Sequence, residues 1–143
     1  MRVLAIDPGA RRLGLALSDA SGTLATPWQV IETAGSLEAD VERLAAIVTE
    51  LKAEDDGLKT IVVGLPLRLD GTPTDQTGRA RELAARLESV TGLQIVLQDE
   101  RLTSREAEQR LALRMTDWRR RKEKLDAAAA AIILQDYLDR RGR

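Results

Sequence analysis

Three carboxylates stand where apolar segments change direction. Asp7 follows RVLAI and precedes Pro8 and Gly9, Glu100 follows LQIVLQ, and Asp126 opens the alanine-rich run LDAAAAAIILQDYLDRRGR. If folding gathers such acids at one sheet edge, they repel one another and lose hydration, a cost that divalent cations offset. Mg2+ and Mn2+ prefer oxygen ligands, and two such ions about 4 Å apart activate water and stabilise the leaving oxygen in phosphodiester cleavage. This chemistry needs neither histidine nor cysteine, and the chain has neither. Each acid also has a local explanation. Asp7 can form a turn, Glu100 can pair with Arg101 or Arg105, and Asp126 can cap a helix or face solvent, so the residue types alone leave both readings open.

Cations stand close to these acids in the chain. Arg11 and Arg12 lie in the hairpin after Asp7, and Arg101 adjoins Glu100, where it can meet a phosphate, orient the carboxylate or form a salt bridge within DER. WRRRKEK contributes Arg119, Arg120, Arg121 and Lys122 as a candidate basic arm just before Asp126; a solvated helix start is its plainer reading. Residues 1–98 hold 10 basic and 14 acidic side chains, whereas 99–143 hold 12 and 9, so any steering of a polyanion comes from the carboxyl-terminal third. Asp99 is a reserve ligand. Trp118 and Tyr137 are read as packing residues, and Asp70 and Gly71 as a turn with Asp75 at the next helix start.

The elements that must position these residues follow from hydrophobic periodicity. RVLAI at 2–6, LGLALSD at 13–19 and TLATPWQVIE at 23–32 read as three strands, the second returning antiparallel to the first. Ser36 caps a helix over 37–54 whose stripe is Leu37, Val41, Leu44, Ile47, Val48 and Leu51. TIVVGLP at 60–66 is an apolar strand suited to a sheet covered on both faces, ending at Gly64, Leu65 and Pro66. A helix over 75–90 and a strand over 93–98 follow. Ser104 caps a further helix starting REAEQRLAL, and the alanine-rich run forms the last one. The order predicts an α/β domain with a mixed five-stranded sheet and helices on both faces.

Composition narrows the functions. A chain of 143 residues fits one domain with a sizeable aliphatic core, spanning 1–143, and the only aromatics are Trp28, Trp118 and Tyr137, too few for a stacking platform on single strands. The lack of cysteine and histidine excludes disulfides, thiol nucleophiles, zinc ribbons and histidine bases. No apolar run approaches about 18 residues and the start has no secretory pattern, so the expectation is a cytoplasmic protein with no membrane partner.

Four segments together carry a family resemblance: IDPGARRLGLALSD, VVGLPLRLDGT, DERLTSREAEQRL and KLDAAAAAIILQDYL. In this order they resemble the YqgF/RuvX family of ribonuclease H-like nucleases, described both as pre-16S ribosomal RNA nucleases and as Holliday junction resolvases. The resemblance implies a ribonuclease H-like fold, with Asp7, Glu100 and Asp126 as catalytic, metal-binding acids for Mg2+ or Mn2+ and with Arg11 and Arg12 at positions suited to a phosphate backbone. It further implies action on structured RNA, with processing of the 5' end of pre-16S ribosomal RNA in a ribosomal precursor particle as the main reading. The alternatives are a resolvase acting on branched DNA, which would call for a homodimer, and a noncatalytic nucleic-acid or ribosome-associated binding protein. A sugar-kinase or actin-like fragment shares the Asp-and-Gly opening but needs a second lobe. Junction resolvases of the wider superfamily carry an acid after the fourth strand and often another one turn along the last helix, where this chain has Gly64 and Ala129.

Overall fold

The computed structural model of the protein describes residues 1–102 and 125–141. Strands β1 (Arg2–Pro8), β2 (Arg12–Ser18) and β3 (Ala25–Glu32) form an antiparallel meander, as their short connections require. Helix α1 (Leu37–Ala53) then carries the chain over to β4 (Leu58–Leu65), which pairs parallel with β1. Helix α2 (Asp75–Thr91) returns it to β5 (Gln94–Asp99), parallel with β4. The sheet order is β3-β2-β1-β4-β5, and α3 (Leu125–Arg141) follows.

Strand alternation divides the core in two. Leu4, Ile6, Ile61 and Val63 point to one face, where Val41, Leu44, Val48 and Leu51 of α1 and Ala80, Leu83 and Leu87 of α2 cover them. Val3, Ala5, Ala16 and Val62 point to the other, against Ala130, Ala131, Ile133, Leu134 and Leu138 of α3. Small residues on both sides of this second layer let α3 approach the sheet closely. The predicted mixed sheet with helices on both faces is the one observed.

Several boundaries differ from the sequence reading. Ser36 caps α1 as expected, its hydroxyl accepting from the Ala39 amide. β3 starts at Ala25 rather than 23, because the Asp19 carboxylate takes the Thr23 and Leu24 amides. β1 continues through Asp7 and Pro8, which pair with Gly14 and Leu13, so Asp7 is a strand residue rather than a turn former. β4 starts at Leu58, and Gly64 and Leu65 are paired members of it, opposite Gln98 and Asp99, rather than its terminators. The helix predicted after Ser104 falls outside the described residues.

Candidate active site at the carboxyl edge of the sheet

The period of two along a strand determines which way each residue near this edge faces. Ile6 and Val63 belong to the α1/α2 side, so Asp7 and Gly64, one residue on, face α3. The pairing of Ile6 with Val63 sets Gly64 beside Asp7 on one neighbouring strand, and Gly14 is its partner on the other. The Asp7 carboxylate therefore stands between two glycines, with no side chain on either adjoining strand at its level.

Glu100 enters the same space. β5 ends at Asp99, and Glu100 begins a short 3-10 turn, Glu100–Leu102, that folds its carboxylate back over Gly64. A Cβ built on Gly64 would lie 2.7 Å from Glu100 Oε1 and 2.8 Å from Ile133 Cδ1 of α3, closer than real side chains approach. Gly64 is thus required because it houses Glu100.

Proximity has an electrostatic consequence. Burial first, then a hydrogen bond with Asp7 and the charges of Asp7 and Asp99, push the Glu100 pKa up to about 8 from an ordinary 4.5. Near neutral pH Glu100 in the metal-free site therefore keeps its proton. An all-oxygen donor pair, crowded and lined by glycines on both flanks, fits a hard divalent cation, which would take over the neutralising role of that proton. Among the described residues no group of three or more Asp, Glu, His or Cys side chains is placed to hold a metal ion. The Asp126 side chain lies outside the described residues; its backbone is in the opening turn of α3. Ile133, which packs at the Gly64 notch, lies seven residues further along α3, about 10 Å at helical rise, and the 3.6-residue period returns position 126 to nearly the same side.

The other predicted residues divide. Arg11 and Arg12 are exposed at the β1–β2 hairpin, on this same edge, where Gly9 makes a tight turn by donating its amide to the Arg12 carbonyl at 2.9 Å. Arg101 pairs not with Glu100 but with Asp99, Nη2 to Oδ2 at 2.7 Å, and it also donates to the Leu69 carbonyl at 3.2 Å. That ion pair, led by the hydrogen bond from Arg101, holds Asp99 below the usual carboxylate range, so the reserve ligand already serves a cation. Arg105, Trp118, Arg119, Arg120, Arg121 and Lys122 fall outside the described residues.

Sequence reading missed what ties α3 to the site. Gln98, one residue before the strand end, donates to the buried Asp136 carboxylate at 2.8 Å, and Arg140 completes the set with an ion pair at 2.9 Å. On the neighbouring position of α3, Gln135 accepts from the Ala25 amide at 2.9 Å and donates to the Thr23 carbonyl at 2.9 Å. The available signal was the Gln-Asp pair interrupting the apolar run AIILQDYL.

A mixed sheet of this order, helix-covered on both faces and with acids at the carboxyl ends of β1 and β5, defines a ribonuclease H-like α/β protein. Among solved structures, Thermus thermophilus RuvC bound to a Holliday junction substrate superposes with a TM-score of 0.63 at 19% identity, covering 99% of this chain and 96% of that one. The likeness is one of fold. The family model described as "RuvX: Holliday junction resolvase" matches residues 1–140, and the chain belongs to that family. Its relatives include proteins named "Putative pre-16S rRNA nuclease". The one from Pelotomaculum thermopropionicum is 38% identical, with 100% of this chain and 90% of that protein covered. The one from Maridesulfovibrio salexigens is 43% identical, with 98% and 99% covered.

Proposed function

We propose that this RuvX-family chain, acting over 1–143 as one domain, is a divalent-metal-dependent nuclease that hydrolyses phosphodiester bonds in structured RNA, with the precursor of 16S ribosomal RNA as its substrate. The observation that carries the reading is the contact between Asp7 and Glu100 in a glycine-lined cradle at the strand edge. The substrate rests on the names of full-length relatives near 40% identity.

Asp7, held in the β1 ladder, and Glu100, folded over Gly64, would hold Mg2+ or Mn2+, with Asp126 of α3 as the third carboxylate. Bound there, a divalent cation supplies charge stabilisation for the phosphate oxygens and eases deprotonation of the attacking water. The chain's own part is positional. The ladder fixes Asp7, the packed α3 and Gly64 limit where Glu100 can go, and exposed Arg11 and Arg12 offer the same edge two cations for the phosphate backbone. The basic segment with Arg119, Arg120, Arg121 and Lys122 would extend that contact. A cytoplasmic ribosomal precursor particle is the setting in which such an RNA occurs.

The description of the family model favours a second substrate, a four-way DNA junction cut symmetrically by a homodimer. The test offers wild type and Asp7→Asn an extended 16S precursor RNA and a four-way DNA junction, each with Mg2+, Mn2+ or EDTA. Metal-dependent cleavage of the RNA by wild type alone is expected. Paired cuts in the junction only would replace the substrate, and RNA binding without any turnover would leave a noncatalytic adapter.

A further inference from the structure

The DER turn is received by two glycines, Gly64 near the end of β4 and Gly71 in the connection from β4 to α2. Gly64 takes the Glu100 carboxylate on one side. On the other, Gly71, at φ +90, lies under the Arg101 guanidinium, where a Cβ would come within 3.2 Å of Nη1. Glu100 is flanked by two residues that grip each other. The Asp99 carboxylate accepts from the Arg101 backbone amide at 2.9 Å, from Nε at 3.1 and 3.2 Å and from Nη2 at 2.7 Å, closing the chain around Glu100. Nη1 then reaches out to the Leu69 carbonyl at the tip of the 67–73 loop.

That loop has its own bracing. Leu67 and Pro73 form an isolated bridge, the Arg68 amide donates to the Thr72 carbonyl, the Gly71 amide donates to the Arg68 carbonyl, and Asp70 accepts from the amide and hydroxyl of Thr72. Its tip nevertheless exposes Leu69 almost completely, at 95%. Leu67 packs the base of the hairpin against the core, whereas its exposed tip takes one side-chain hydrogen bond from outside the loop among the described residues, that of Arg101.

We infer that Arg101 is a positioning residue: anchored on Asp99, it fixes both the Glu100 turn and the 67–73 hairpin, so that the hairpin forms a wall of the substrate site beside the carboxylates. A planar guanidinium suits this role because it can grip a carboxylate through two edges while a remaining N–H serves a carbonyl. Asp99 is then the anchor of the brace and no metal ligand. The inference rests on the nuclease reading for its effect on turnover, although the brace itself does not.

The alternative is that Arg101 contacts a phosphate, and the two roles give opposite results when Asp99 is changed. The experiment compares Asp99→Asn, Arg101→Ala, Arg101→Lys and the Asp99→Asn/Arg101→Ala double variant. It measures kcat and KM on the precursor RNA, the salt dependence of RNA binding, and amide hydrogen exchange across 67–73 without metal. The brace predicts that Asp99→Asn and Arg101→Ala each lower kcat by roughly tenfold to a hundredfold with KM little changed. The double variant should be no worse than the poorer single one. Arg101→Lys should fail to restore kcat, binding should keep its salt slope, and exchange at Arg68, Gly71 and Thr72 should quicken in every variant. The inference is overturned if Arg101→Ala weakens binding and flattens its salt slope while Asp99→Asn leaves kcat intact, or if exchange in the hairpin does not change. Should wild type cut no RNA, the nuclease reading falls and the exchange result alone still decides the brace.

Discussion

The two ends of the sheet handle charge in opposite ways. At the amino end of β1, Arg2 donates to the Gly57 and Leu51 carbonyls at 3.0 and 3.2 Å and to Glu54 at 2.8 Å. Ser18 accepts from the Val3 amide at 2.7 Å, and Asp19 accepts from Ser21, Thr23 and Leu24. For Asp19, burial raises the pKa, but the Ser21 hydroxyl and the Leu24 and Thr23 amides together outweigh it and pull the value below normal. At the carboxyl end, Asp7 and Glu100 face each other and the Glu100 pKa rises. One end uses charge to fasten the fold, and the other retains an electrostatic conflict that favours a bound cation. A fold keeps such a conflict where function requires it.

Breaking the carboxyl end should have the largest effect on activity. Asp7→Asn or Glu100→Gln should lower metal-dependent cleavage by about a hundredfold or more, on the scale of losing an electrostatic stabiliser of the transition state, with circular dichroism unchanged. Gly64→Ala comes next. Its Cβ must displace Glu100 or Ile133, so it should cost about 1–3 kcal/mol of overpacking in a denaturant titration. The same variant should also lose cleavage, because the carboxylate no longer fits its notch.

The amino end should behave in the reverse manner. Arg2→Met retains an apolar stem but leaves two carbonyls and Glu54 without their donor, so stability should fall by about 2 kcal/mol. The kcat of the remaining folded protein should match wild type. Equal losses of turnover in Arg2→Met and Gly64→Ala would erase the distinction between the two ends.

Acid titration gives a finer comparison. Folded Glu100 binds its proton more tightly than the unfolded chain does, so its contribution is fully present below pH 4.5 and is lost as pH rises toward about 8. Asp19 has the opposite sign: its contribution is present above its unfolded value of 3.8 and is lost as pH falls through the lower folded value. Metal-free urea titrations from about pH 2 to 9 should therefore show a decline toward alkaline pH that Glu100→Gln flattens. Asp19→Asn should act only on the acid limb, and weakly, since Asp19 is largely solvated.

Much of the fold follows from local pattern. Ser36 with its apolar stripe defines α1, the Asp70-Gly71 turn needs the positive φ of Gly71, and the apolar run around Val62 matches a strand buried on both faces. Those signals lie within a few residues of the element they specify. The role of Gly64 does not, because it depends on β5 lying next to β4 and on a turn that folds Glu100 backward. Arg101 choosing Asp99 over Glu100 likewise depends on the strand ending at Asp99, which sends the two carboxylates to different sides. The partners of Arg2 lie 49 to 55 residues away, beyond any local pattern. Asp7 and Glu100 were found as separate acids from their positions after strands, whereas their contact required the sheet order.

The most direct test is the thermal shift that Mn2+ produces in wild type, Asp7→Asn and Glu100→Gln, measured by calorimetry at pH 7 in the absence of nucleic acid. A centre built on the two carboxylates predicts a rise in Tm for wild type that grows with the logarithm of Mn2+ concentration above the dissociation constant, and little or none for either variant. The same rise in all three proteins would contradict it.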